Sequence, residues 1–293
     1  MANNLITQQV GPVCSQALGL LHYTVLLPRL LYRDCSVSGN IAVGDTVNVR
    51  KPAEFQAREF NRTTRQLDIQ DIVETTIPVK LDKIWDVSVQ LTAEQVTLDL
   101  TSFGEQVTNS AVIAIAEKAE HLCVDILDNA GADVVPVPEE NPLLGVYSAV
   151  AKLNSKMVPT GNRNLVVGTT LAAILKTSDN LLRVDASGSN ETLRMAEIGR
   201  LAGCTVYESP YVDPEQGYLF AKDAAVFVSR ALETMGGGSS AQVSTRSFEG
   251  VAMRTAIQYD IHSKSTIASF DVLTGGRELD NRRMVKLVLV PSP

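Results

Sequence analysis

A chain of 293 residues with a formal net charge of −7, of which 45% are hydrophobic and 20% charged, can build a sizeable core without disulfide or metal staples. This composition excludes a mainly disordered protein, and the acidic balance argues against tight, sequence-independent binding to nucleic acid, which needs a basic surface to release counterions from phosphate. The four cysteines, Cys14, Cys35, Cys123 and Cys204, form no C-x-x-C pair, so buried free thiols are expected in place of a zinc site or disulfide framework.

The opening MANNLITQQVGP lacks the basic stretch and apolar core of a secretory signal. The run from Ala17 to Tyr32 is broken by His22, Pro28 and Arg29 and is shorter than the ~20 residues that cross a bilayer, so no membrane partner is expected. Residues 12–31 read as a helical arm up to Pro28, with Val13, Ala17, Leu20, Leu21 and Leu27 as its apolar stripe. From Val43 the pattern alternates, with Val43, Val47 and Val49 on one face and Gly44, Asn48 and Arg50 on the other, as in a half-buried strand. A return strand follows, apolar at Ile77, Val79, Leu81, Trp85, Val87, Val89 and Leu91 and interrupted in period only by Lys83.

The stretch between these strands mixes Lys51, Arg58, Arg62 and Arg65 with Glu54, Glu59, Asp68, Asp71 and Glu74 and has too few apolar residues for a core. Strands of about a dozen residues at ~3.3 Å per residue make a hairpin reaching roughly 40 Å. An isolated two-stranded hairpin is marginal in water, so a partner surface is implied, and another copy of the chain is its natural source. The alternative is a solvated loop or an edge hairpin lying on its own domain. The next element is a helix opened by the capping-box pattern Ser102-Phe103-Gly104-Glu105, carrying a stripe of Val112, Ile115, Ala119, Leu122 and Ile126, and closed by Gly131. Spanning 102–130, it would run roughly 40 Å.

The proline-rich VVPVPEENP, 134–142, reads as an extended linker and a boundary. Beyond it, Asn141-Pro142 starts a helix to about Met157, Asn164–Gly168 reads as a strand, Thr170–Lys176 as a short helix and Glu191–Leu201 as another. Thr205–Glu208 and Tyr218–Ala221 read as strands, and Ala224–Leu232 as a helix. This alternation describes a mixed α/β unit. After the flexible Gly236–Ser240 run, strands are expected around Val251–Ile261, at Ile267–Leu273 and at Val285–Val290, with the strands flanking the long helix as their partners.

No catalytic, cofactor-binding or metal-ligating set stands out. His22, His121 and His262 are few and separated. In DIHSKS, Asp260 and His262 would share a strand face while Ser263 points away, and there is no G-x-S-x-G elbow. The GGGSS run lacks the lysine and helix of a phosphate-binding loop. An enzyme is not expected.

The order of these elements, with GDTVNVRKP opening the hairpin, Gly199-Arg200-Leu201-Ala202-Gly203-Cys204-Thr205-Val206 in the α/β unit, and DVLTGGREL and VKLVLV late in the chain, resembles the major capsid proteins of tailed bacteriophages. It is most similar to the short-tailed-phage coat-protein family. The resemblance implies an α+β, Hong Kong 97-type fold: an N-terminal arm at 1–40, an extended loop and its base at 41–92, a peripheral domain with a spine helix at 93–140, an axial domain at 141–243, and C-terminal strands at 244–293 that complete the peripheral domain. The implied function is a structural protein that self-assembles into an icosahedral head around double-stranded DNA, with an encapsulin-like nanocompartment shell as the alternative and a soluble α/β enzyme as a remote one.

The implied partners are many copies of itself in hexamers and pentamers, a separate scaffolding protein, a portal, an optional decoration protein, and packaged DNA held without sequence-specific binding. A separate scaffold is expected because residues 1–40 are too short for the fused scaffold domain of some relatives, and no covalent crosslink between subunits is expected. The residues expected to contact a neighbouring subunit are Lys51, Glu54, Arg58, Glu59, Arg62, Arg65 and Asp68. The implied location is the virion, with assembly in the host bacterial cytoplasm.

Overall fold

One long helix organises the chain, because its two halves cover two different sheets. The computed structural model describes residues 25–33, 46–51, 57, 65, 75–92, 103–177, 197–232, 242–248 and 251–290. In chain order its elements are α1 (Leu27–Leu30), β1 (Thr46–Lys51), β2 (Thr75–Lys80), β3 (Lys83–Thr92), α2 (Phe103–Asn129), β4 (Asp133–Pro138), α3 (Pro142–Ser155), β5 (Arg163–Val167) and α4 (Thr169–Thr177). They continue as β6 (Glu197–Leu201), β7 (Cys204–Glu208), β8 (Gln216–Ala221), β9 (Ala225–Arg230), β10 (Gln242–Phe248), β11 (Val251–Asp260), β12 (Ser265–Glu278), a 3-10 turn (Asn281–Arg283) and β13 (Met284–Val290).

The helix expected at 102–130 is α2, and Gly131 ends it at φ +63, a left-handed position that costs a glycine no Cβ clash. The N-terminal half of α2 places Ala111, Val112, Ile115 and Ala116 on Met253, Ala268, Phe270 and Val272. These belong to a sheet ordered β10-β11-β12-β3, in which β9 also pairs β12. The C-terminal half places Ala119, Leu122, Cys123, Ile126 and Leu127 on Val166, Tyr218, Phe220 and Met284. Three of those four belong to β5 and β8 of a six-stranded sheet ordered β4-β13-β8-β5-β7-β6, and Met284 opens its β13. Helices α3 and α4 cover the opposite face of that sheet through Val146, Ala149, Leu153, Leu171 and Leu175. Each fully buried Leu, Val or Phe of these cores contributes about 1.5–3 kcal/mol, so the helix draws stability from both sheets.

Several expected elements differ. Pro28 does not end a helix; it stands in the first turn of the four-residue α1, where a missing N–H costs nothing. Residues 1–24 and the Gly236–Ser240 run lie outside the described residues. The return strand is two strands. Its alternation runs unbroken through Leu81, yet the chain leaves the β1 pairing after Lys80 and joins β12 from Lys83 onward.

The proline-rich stretch is no linker but β4, an edge strand parallel to β13. An edge strand has one side free of ladder bonds, so Pro136 and Pro138 are tolerated there. Residues 197–201, expected within a helix, form β6, which turns through Ala202 at φ 52 and Gly203 at φ 82 to pair antiparallel with β7. Two positive φ values in a two-residue turn are the signature of a tight hairpin. Residues 178–196 lie outside the described residues.

The segment Ala224–Leu232, expected to be helical, contains β9, whose Ala225, Val226, Phe227 and Val228 are all buried. Burial on every side erases the period that distinguishes strand from helix. Sheet membership also cuts across the expected limits. Strand β13 lies beside β8 in the six-stranded sheet, while β9 pairs with β12 in the other.

Candidate assembly interface

The root of the hairpin is built from β1 and β2, paired antiparallel from Thr46 opposite Lys80 to Lys51 opposite Thr75. Alternation puts Val47, Val49, Val79 and Leu81 on one buried face, against Val226 and Val228 of β9, with Tyr32, Leu273 and Leu279 at the margin. Asn48, Arg50, Thr76, Pro78 and Lys80 face outward. Arg277 of β12 donates to the Pro78 carbonyl at 3.2 Å and ties the root to the body.

The glycine pair in TGGRE is what lets this root sit so close. A Cβ on Gly275 would lie 2.2 Å from the Lys80 carbonyl oxygen, and one on Gly276 would lie 2.3 Å from Ile126 Cδ1 of α2. The hairpin root and the spine helix therefore press on β12 at adjacent residues. Sequence reading quoted this motif without its reason; only the fold brings Lys80 and Ile126 to it.

Of the residues expected to contact a neighbour, Lys51 closes β1 opposite Thr75, and Arg65 is exposed with a left-handed φ of 52. Glu54, Arg58, Glu59, Arg62 and Asp68 lie outside the described residues.

Sequence reading missed a polar cluster on the face of the β3–β12–β11 sheet opposite α2. Asp271 stands directly between Arg254 and Asp86 on the neighbouring strands. Arg254 Nε donates to both carboxylate oxygens of Asp271, at 3.0 and 2.9 Å, and a terminal nitrogen adds a bond at 2.8 Å. Asp86 accepts from Ser269 at 2.6 Å and from Ser88 at 2.8 Å. The bidentate pair keeps two opposed carboxylates compatible. The signal lay in the even positions of DVSVQ, polar where the odd ones are apolar.

At the far end of α2, Lys286 of β13 bonds Asp128 and holds its carboxyl below the usual range, and the Tyr218 hydroxyl donates to the same group at 3.0 Å. Burial pushes the Tyr218 hydroxyl upward. These contacts clamp the helix end to the six-stranded sheet.

The DIHSKS cluster is a hairpin turn. His262 is exposed beyond the end of β11, its N–H donates to Asp260 at 2.9 Å, and Ser263, expected to point away, donates to the other Asp260 oxygen at 2.7 Å. The Ser263 bond holds the Asp260 carboxyl below its ordinary range. Cys123 and Cys204 are buried free thiols, while Cys14 and Cys35 lie outside the described residues. Among the described residues no group of three or more His, Cys, Asp or Glu side chains gathers to hold a metal ion, and no helix is long and apolar enough to cross a membrane.

A spine helix spanning two sheets, with a hairpin rooted beside it, defines the Hong Kong 97-type fold of tailed-phage major capsid proteins. A structure from Mycobacterium phage Che8 matches with a TM-score of 0.62 at 19% identity, covering 90% of each chain. The capsid of cyanophage P-SCSP1u matches at 0.60 with 12% identity over 86% of each chain, and that of Ralstonia phage GP4 at 0.58 with 12% identity over 90% of this chain and 88% of the other. No curated protein sequence matches significantly. Residues 74–267, more than half of the chain, match the phage capsid protein family, and the chain belongs to that family. It is a structural component of the virion shell, made of many copies of itself.

Proposed function

We propose that this chain is the repeating unit of an icosahedral head that encloses double-stranded DNA, and that residues 41–92 clasp a neighbouring subunit. One observation carries the reading: β1 and β2 are rooted on β9 through Val47, Val49, Val79 and Leu81, and the sequence joining them is rich in both charge signs and poor in apolar residues. Such a segment gains little from its own body. Mixed charges give register and orientation to repeated contacts, though each exposed pair contributes only about 0.2–1 kcal/mol. Multiplicity around a closed shell makes the sum decisive.

In this reading α2 is the spine of the peripheral region, the sheet covered by α3 and α4 forms the axial region, and the chain catalyses nothing. Assembly takes place in the host cytoplasm with a separate scaffolding protein and a portal, and a decoration protein can be added outside. The net charge of −7 suits a container whose wall must not adsorb incoming DNA.

Changing Arg58 and Arg62 together to Glu is expected to cut particle yield at least about tenfold while the unassembled chain keeps its circular dichroism and melting profile, since several weak contacts are reversed per subunit. Electron microscopy and sedimentation measure the yield. Wild-type yield, or equal loss of folding, would remove the clasp assignment.

A further inference from the structure

Glu120 sits in the middle of α2 with only 1% of its surface exposed, yet among the described residues no cation pairs with it. Its carboxylate accepts the Leu26 N–H through a short bond, and the Leu27 N–H at 3.1 Å to one oxygen and 3.2 Å to the other. These amides open α1, whose N-cap residue is Leu26 and makes no side-chain cap bond. A helix start leaves unsatisfied N–H groups, and here a glutamate from a distant part of the chain satisfies two of them.

Around this contact the N-terminal segment is a plug. Val25 packs with Ala111, Val112, Ile115, Phe270 and Val272, while Leu27 and Leu31 pack with Ala119, Leu122 and Cys123. On α2 itself, Glu117, Lys118, His121 and Cys123 are the titratable neighbours within one turn, and the Lys118 ammonium lies over the Trp85 ring, 5.9 Å from its centroid. The loop between β7 and β8 brings Tyr211, which stacks edge-on with His121 and is pushed upward by burial and by the charges of Glu117 and Glu120. Arg29 of the plug makes no ion pair with Glu120. The carboxyl is thus buried by the plug and held by backbone alone.

We propose that Glu120 is a proton-controlled latch that seats residues 25–31 on the spine helix when protonated and loosens them as its proton is lost. Burial outweighs the two backbone bonds and raises this carboxyl from 4.5 to about 7. The seated state therefore holds the proton more tightly than the released state. Seating is fully favoured at low pH, weakens as pH rises from about 4.5 to about 7, and levels off above that, by up to roughly 300-fold in the seating equilibrium. In a shell, release would free the segment for a neighbouring copy. That consequence rests on the clasp reading, whereas the latch is a property of one chain.

Hydrogen exchange of the Leu26 and Leu27 amides in the unassembled chain, corrected for intrinsic rates, is expected to lose protection by up to about 70-fold between pH 5 and pH 8, the linkage limit for that interval. The Leu219 and Val272 amides, in the two sheets, should stay protected throughout. In Glu120→Gln the pH dependence should vanish. A flat wild-type profile, or the same fall in the variant, overturns the latch. Should the variant fail to fold, the carbon-13 shift of the wild-type Glu120 carboxyl decides: it must titrate together with the loss of protection, and separate midpoints overturn the proposal. Loss of assembly in the arginine variants with the latch intact would leave the two readings distinguishable.

Discussion

Gly275→Ala is expected to destabilise the unassembled chain by about 3 kcal/mol or prevent its folding, the upper part of the range for overpacking a tight site. The new Cβ would stand 2.2 Å from the Lys80 carbonyl oxygen, 2.9 Å from Leu81 Cδ2 and 3.0 Å from Leu81 Cα. Two of these atoms are backbone at the root of the hairpin, so relief requires moving β2 and its pairing with β1. Gly276→Ala should cost less. Its nearest obstacle is Ile126 Cδ1 at 2.3 Å, the end of a side chain with other rotamers, although the Val226 carbonyl oxygen at 2.8 Å remains. Adding Ile126→Val removes the methyl group in the way and should recover part of the Gly276→Ala loss, a non-additive result that a remote effect would not produce. Urea unfolding midpoints measure all three. A Gly275→Ala midpoint equal to wild type would mean that the root does not lie against β12.

Asp271→Ala is expected to cost about 3 kcal/mol, because it removes the bidentate partner of a guanidinium that is largely withdrawn from water. Asp271 is 3% exposed, and Arg254 makes three bonds to its carboxylate. Arg254→Met should be as harmful, since it leaves Asp271 buried directly opposite Asp86 without the cation that pairs it from the other side. The double variant Arg254→Met/Asp271→Leu should return most of the stability, as apolar replacement of a buried ion pair commonly does. A double-mutant cycle by chemical denaturation reads the coupling. If the two single losses simply add, the pair acts as two independent surface charges and the argument fails.

What sequence could reveal depended on how local the cause was. Gly131 marks the end of α2 because a left-handed glycine acts within one turn of the residue that carries it, while Ser102 of the S-x-x-E opening lies outside the described residues. Asn141-Pro142 located the start of α3 through the proline, whose fixed φ suits the first helical turn, since the Asn141 side chain makes no cap bond. Where burial was complete, the period vanished: AVFVSR at β9 is apolar on both faces, so helix and strand were indistinguishable, and strand won through pairing with β12. The prolines of β4 read as a linker because only its place at a sheet edge makes them harmless.

The same distinction separates the parts of the assembly interface. The alternation of valines and the charge-rich stretch between the hairpin strands are properties of the chain alone and imply a hairpin in need of a partner surface, while the phage capsid family rests on the match over residues 74–267. Which body face holds the hairpin root, why two adjacent glycines are needed there, and how Glu120 comes to cap Leu26 and Leu27 depended on residues far apart in sequence meeting in space. Local propensity acts over a few residues, whereas close approach and desolvation arise only when the sheets have closed around the helix.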